Sequence, residues 1–296
     1  CMGAGWGLTQ PLSKIAVSTG HQHFGLIFWQ LVIGALAMSV IAMLTRRRLP
    51  LHPNALWFYL IIALIGTVIP NSASYQALTH IPAGVQSVLM SLVPMAAFPI
   101  ALALRLERFT AMRLVGLFAG LAGVLVLVLP KASLPDPGMM PWVLVTLIAV
   151  ICYAGEGNYV AKWGTRGLDA IQVLYGASLV GIVLALPLAL ASGQFISPFR
   201  PYGAPEWALI ASSVVHVLVY AGYVWLVGRA GPVFTAQVGY LVTGSGVIWA
   251  MLLLGESYSP YFWAAMALIF LGGFLVQPRR KETLAAPATI EESQTR

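Results

Sequence analysis

Almost the whole chain divides into mostly apolar stretches, at about 2–18, 24–45, 55–78, 82–104, 110–129, 141–163, 169–191, 205–227, 232–254 and 260–276. At about 1.5 Å per helical residue, each is long enough to cross, or nearly cross, roughly 30 Å of hydrocarbon. Chain that crosses lipid must satisfy its own N–H and C=O groups, and unbroken apolar runs of this length do so as helices. The expected fold class is an all-α membrane protein with ten transmembrane helices.

The charges then set orientation. Only 8% of residues are charged against 59% hydrophobic, which leaves little chain for a soluble domain. Arg46, Arg47 and Arg48 follow the second stretch, Arg105, Arg108 and Arg113 the fourth, Lys162 and Arg166 the sixth, and Arg229 the eighth. With Arg279, Arg280 and Lys281 they make twelve basic residues on one side against Lys131 and Arg200 on the other. By the positive-inside rule that side is cytoplasmic, with both termini on it, as in a multi-pass protein of the plasma membrane or bacterial inner membrane. The formal charge of +7 sits at helix ends rather than on one continuous face, which argues against nucleic acid as a partner. Cys1 and Cys152 offer neither a disulfide framework nor metal-ligand spacing, so no metal or cofactor is expected. The first stretch starts at a Cys and lacks a signal-peptide pattern, so it reads as a truncated first helix. Residues 282–296 are polar and read as a disordered cytoplasmic tail.

An internal repeat constrains the fold further. The run from Leu102 aligns without gaps, at an offset of 149, on the run from Met251, pairing Glu107 with Glu256, Phe109 with Tyr258, Thr110 with Ser259 and Gly123 with Gly272. Apolar matches are common in such sequences, but a matched glutamate is not. Five stretches per repeat, an odd number, place the halves in opposite orientations, as in alternating-access transporters. Residues 1–130 would hold helices one to five and residues 141–277 helices six to ten.

Three runs, "WGLTQPLSK" (Trp6 to Lys14), "ALTHIPAGVQSVLMSLVPMAAFPIALALRLERFT" (Ala77 to Thr110) and "LLLGESYSPYFWAAMALIFLGGFLV" (Leu252 to Val276), resemble EamA-type members of the drug/metabolite transporter superfamily. The resemblance covers nearly all of residues 3 to 277. It implies two inverted five-helix bundles, with a cavity between helices one to four and six to nine. It also makes Pro94 the hinge candidate. Thr243 stands where the second half usually repeats that proline, and Leu106 replaces the usual glycine before Glu107, so the halves are not expected to bend alike.

Several polar residues share single helical faces at spacings of three or four. Trp6, Gln10 and Lys14 lie on the first helix, and Thr67, Asn71 and Ser74 or Tyr75 on the third. Gln86 lies on the fourth, Tyr153, Glu156 and Tyr159 on the sixth, His216, Tyr220 and Tyr223 on the eighth, and Gln237 and Tyr240 on the ninth. Each has two readings, as lining of a substrate pathway or as interhelical glue worth about 0.6 kcal/mol per contact. Lys14, towards its helix end, can also snorkel to the headgroups. Glu156 is sharper, because an ionisable group at depth costs about 2.5 to 3.5 kcal/mol. It could meet a substrate ammonium, carry a coupling proton, or remain a neutral hydrogen-bonded acid. Gly116 and Gly120 form a GxxxG pair, for which packing inside one bundle is favoured over dimerisation, and the oligomer is expected to be a monomer or homodimer.

These features favour a secondary transporter of a small polar or zwitterionic metabolite, an amino acid or related amine, with export implied by the resemblance. A membrane-embedded enzyme would need a clustered nucleophile, base or metal set, and none is recognisable. A channel or receptor would not need the repeat. No ATP-binding motif is present, so the driving force would be an ion gradient, with protons as a candidate. Phosphorylated substrates are disfavoured because Lys14 is the one cation expected at depth.

Overall fold

A computed structural model describes residues 2–129, 136–199, 201–236 and 238–277, and all regular structure among them is helical. Cys1, Lys131, Arg200, Gln237, Arg279, Arg280, Lys281 and the 282–296 tail lie outside the described residues. The helices are α1 (Met2–Val17), α2 (His23–Leu44), α3 (Pro53–Leu78), α4 (Ala83–Ala103), α5 (Ala111–Val128), α6 (Met140–Trp163), α7 (Ala170–Ala191), α8 (Ala204–Ala236), α9 (Val238–Leu254) and α10 (Pro260–Val276). Seven stretches among the described residues, in α2 to α8, are long and apolar enough to cross a membrane, while α9 and α10 are apolar but shorter. Large apolar side chains face outward along them, including Phe118, Val183 and Leu252 at 61%, 71% and 70% exposure, as a lipid-facing surface requires.

The chain departs from the expected boundaries at one place. Gly228, Arg229, Gly231 and Pro232 suggest a break at about 227–232, yet α8 runs on to Ala236. Both α8 and α9 lie against α1, since Gly5 approaches Val219 while Gly3 approaches Val238 and Leu241.

Two interruptions have local causes. In α4 the helix lapses at Ser91 and Leu92, whose N–H groups bond back three residues to Val88 and Leu89. Pro94 follows in the first turn of the next segment and brings no N–H. Thr243, its counterpart, lies within the unbroken α9, so the two helices do differ in bending. In α3 the backbone widens into a π-helical turn at Leu64–Val68.

The closest helix crossings depend on glycine. A Cβ on Gly116 would lie 2.7 Å from the Gly272 carbonyl oxygen, and one on Gly272 2.6 Å from that of Gly116, so α5 and α10 meet backbone to backbone. Gly116 and Gly120 therefore pack inside this chain, Gly120 against Met95. Gly272→Val is expected to cost about 1 to 3 kcal/mol by overpacking. Thermal unfolding in detergent checks this as a lowered midpoint.

Candidate functional site

The helices enclose a cavity of about 1020 Å³. Its wall runs from Ser13 on α1 and Leu78 on α3 to Leu106, Glu107, Arg113 and Gln277 at the arginine-rich end. Both halves of the sequence contribute: α1 to α4 supply part of the wall, and α6, α8 and α9 another part.

The middle of the wall is built from amides, hydroxyls and rings. The Gln30 Oε1 accepts from Asn71 Nδ2 at 3.1 Å and from the Tyr75 hydroxyl at 2.8 Å. The Tyr153 hydroxyl donates in turn to Asn71 Oδ1 at 2.8 Å, so α2, α3 and α6 are joined through one network. On the other side, the Trp6 Nε1–H donates to His216 Nδ1 at 3.2 Å, joining α1 to α8, and Tyr220 stacks on His216. Such groups are stable in a membrane interior when bonded to one another or facing water, and a cavity provides the second condition.

Among the described wall residues, the Asp, Glu, Lys and Arg side chains are Glu107 and Arg113, at the arginine-rich mouth. Arg113 pairs with Glu107 at 2.9 Å and lies over the Phe98 ring, 5.2 Å from its centroid.

Hydrogen bonds tie the helices together at the opposite end. The Lys14 Nζ donates to the carbonyls of Leu78 at 2.5 Å and Ile81 at 2.9 Å, at the end of α3, rather than reaching the headgroups. The Glu256 carboxylate accepts from the Ala83 N–H at 2.7 Å and the Gly84 N–H at 3.1 Å, in the first turn of α4. The Tyr258 hydroxyl also donates to Glu256. Burial, reinforced by that carboxylate, pushes the Tyr258 hydroxyl's pKa up, so it remains a donor. The α3–α4 turn is therefore held by an ammonium on its carbonyls and by a carboxylate on its amides, each matched to the helix end it meets. Nearby, His21 pairs with Glu206 at 2.8 Å, and Trp29 Nε1 donates to the Ile196 carbonyl at 2.8 Å.

Of the residues singled out by sequence, Trp6, Gln10, Asn71, Tyr75, His216, Tyr240 and Pro94 line the cavity, as do Thr67, Ser74 and Tyr153. Lys14, Gln86, Glu156, Tyr159 and Tyr220 are not on its wall. Gln86 is 1% exposed and accepts from the Thr146 hydroxyl, which is an interhelical tie between α4 and α6. Tyr159 packs on Phe58 and Trp163. The Tyr223 side chain and Gln237 fall outside the described set. Gln30, Ser13, Asn158, Glu107 and Arg113 are wall residues that the stripe argument passed over. A long amide in the middle of the apolar α2 was the available signal for Gln30.

Residues 1–129 and 140–277 match the model of a family described as the EamA-like transporter family. Similar proteins include the uncharacterized transporter YvbV of Bacillus subtilis (strain 168), 25% identical over 297 residues, with 97% of this chain and 92% of that protein covered. A WAT1-related protein of Arabidopsis thaliana is 24% identical over 252 residues, with 74% of this chain and 65% of that protein covered. A crystal structure described only as that of a protein has the same fold, with a TM-score of 0.58 at 22% identity over 92% of this chain and 96% of that one.

Proposed function

The chain belongs to the EamA-like transporter family and is a membrane transporter of the drug/metabolite transporter superfamily, and we propose that it carries a small polar or zwitterionic metabolite by alternating access. The observation that carries this reading is the cavity, shared by both halves, walled deep inside by neutral hydrogen-bonding groups and bounded at one end by the Lys14 and Glu256 contacts. An amino acid or related amine suits such a wall. Its ammonium can meet the faces of Trp6, Tyr75 and Tyr153 by cation–π attraction, and its carboxylate the amide and hydroxyl donors. Export from the cytoplasm fits a cavity whose charged mouth lies at the arginine-rich end, which the positive-inside rule makes cytoplasmic.

Two inverted five-helix halves are part of this reading. Helix packing supports it, because α1 lies against α8 and α9 as α6 lies against α3 and α4, while α2 meets α7 and α5 meets α10. The α5–α10 crossing obeys the same exchange. Gly116 meets Gly272, and the residues 149 positions from each, Ala265 and Gly123, also meet, with a Cβ on Gly123 falling 2.9 Å from the Ala265 carbonyl oxygen.

Two measurements test the reading. Purified protein in proteoliposomes should show saturable counterflow with members of an amino-acid and amine panel, and conductance without counterflow would make it a channel. In a background lacking Cys1 and Cys152, single cysteines at Arg47 and Lys281 should react with an impermeant reagent from one membrane face, and one at Asp136 from the other. Opposite accessibility of Arg47 and Lys281 would rule out an even number of spans between them.

A further inference from the structure

The wall has a gap in its side chains where Gly66 of α3 and Gly157 of α6 adjoin the cavity. The Glu156 carboxyl packs against Gly66, off the cavity wall and partly exposed. A Cβ built on Gly66 would lie 2.6 Å from Glu156 Oε1 and 2.7 Å from its Cδ, so the carboxyl occupies the space that a side chain at position 66 would need. Among the described residues Glu156 makes no hydrogen bond and no ion pair. From these placements we infer that Glu156 is a proton-binding site, reached from the cavity past Gly66. The inference rests on the transport reading and names its coupling ion.

The surroundings explain why the ion is a proton rather than a substrate ammonium. A substrate group would have to touch the carboxyl, yet the carboxyl is not on the cavity wall, whereas a proton can be relayed by water. Among the described residues, α3, α4 and the 3₁₀ turn, which pack on α6, carry no Asp, Glu, Lys or Arg. Of the elements packed on α6, α3 carries only Tyr59 and Tyr75 as titratable groups, and α4 and the 3₁₀ turn at Pro137–Met139 carry none. On α6 itself the others are Cys152, Tyr153, Tyr159 and Lys162. Burying an unpaired carboxylate is costly, so the acid form belongs to the dry state and the ionised form to a state in which cavity water reaches it.

The first test needs no substrate. The purified full-length protein is treated with N,N′-dicyclohexylcarbodiimide, which adds across a carboxylic acid by taking up its proton and bonding to its oxygen, and the site is read by peptide mass spectrometry. Glu156 should be modified, with labelling falling at least severalfold between pH 5 and pH 9. Gly66→Ala, whose methyl displaces the carboxyl, should alter it severalfold. Absent or pH-independent labelling of Glu156 overturns the proposal. The second test uses whichever amino acid or amine gives counterflow: Glu156→Gln should keep exchange and lose accumulation driven by a pH gradient. Accumulation that persists in Glu156→Gln overturns the coupling role, while a wild type without counterflow for any compound refutes the transport reading and leaves the labelling result standing. If Glu156→Gln does not fold, Glu156→Asp is read in its place, with a shifted pH profile expected and an unchanged one overturning the proposal.

Discussion

Glu256→Ala is expected to raise by at least about tenfold the rate at which an impermeant thiol reagent reaches a cysteine at Ser74 from the face opposite the arginines. Ser74 lines the cavity about one helical turn from Leu78, whose carbonyl accepts from Lys14 beside the turn between α3 and α4. The carboxylate bonds two amides of that turn, at 2.7 and 3.1 Å, and a hydrogen bond to a charged group contributes about 1.5 to 3 kcal/mol. Losing one such bond shifts an open–closed equilibrium by about tenfold or more, because 1.4 kcal/mol is a factor of ten. Glu256→Gln should fall between the variant and the wild type, since an amide keeps one acceptor oxygen for two N–H donors. Gly84→Val should resemble Glu256→Ala, as its side chain would claim the space of the Tyr258 hydroxyl. Labelling that stays at the wild-type rate in a folded Glu256→Ala protein would reduce the carboxylate to a helix cap with no part in opening.

Glu256 also shows what could and could not be seen in the sequence. Its match to Glu107 marked it as special, but its partners belong to the first turn of α4, far earlier in the chain, and backbone amides leave no trace in residue identity. The helix ends were legible where Pro, Gly and Arg cluster, and most agree within two residues. They failed at Gly231 and Pro232, through which α8 runs on to Ala236. Polar stripes located Asn71 and Tyr75 because two or more groups recur on one face. Gln30 has no such companion on α2, so periodicity was blind to it. The stripe argument put Glu156 on the face of Tyr153, but Tyr153 lines the cavity while Glu156 packs against Gly66 off its wall, and a glycine contributes nothing to a stripe of side chains.

The network around Asn71 carries the other large effect. Asn71→Leu removes the acceptor of the Tyr153 hydroxyl and one of the two donors to Gln30, with little change in volume. In the substrate complex, where cavity water is displaced, a donor left without an acceptor costs about 1 to 3 kcal/mol, so counterflow efficiency should fall by roughly 5- to 150-fold. Tyr153→Phe deletes donor and acceptor demand together and should cost less. The double variant should be less impaired than the sum of the singles, by about 0.5 kcal/mol or more, as expected for groups in contact. Two readouts separate a binding wall from a structural tie. A tie worth about 0.6 kcal/mol would lower the unfolding midpoint in detergent and leave the KM for counterflow unchanged. A wall that meets substrate through these groups raises KM in Asn71→Leu while the unfolding midpoint moves little, because the cavity gives the orphaned hydroxyl water to bond.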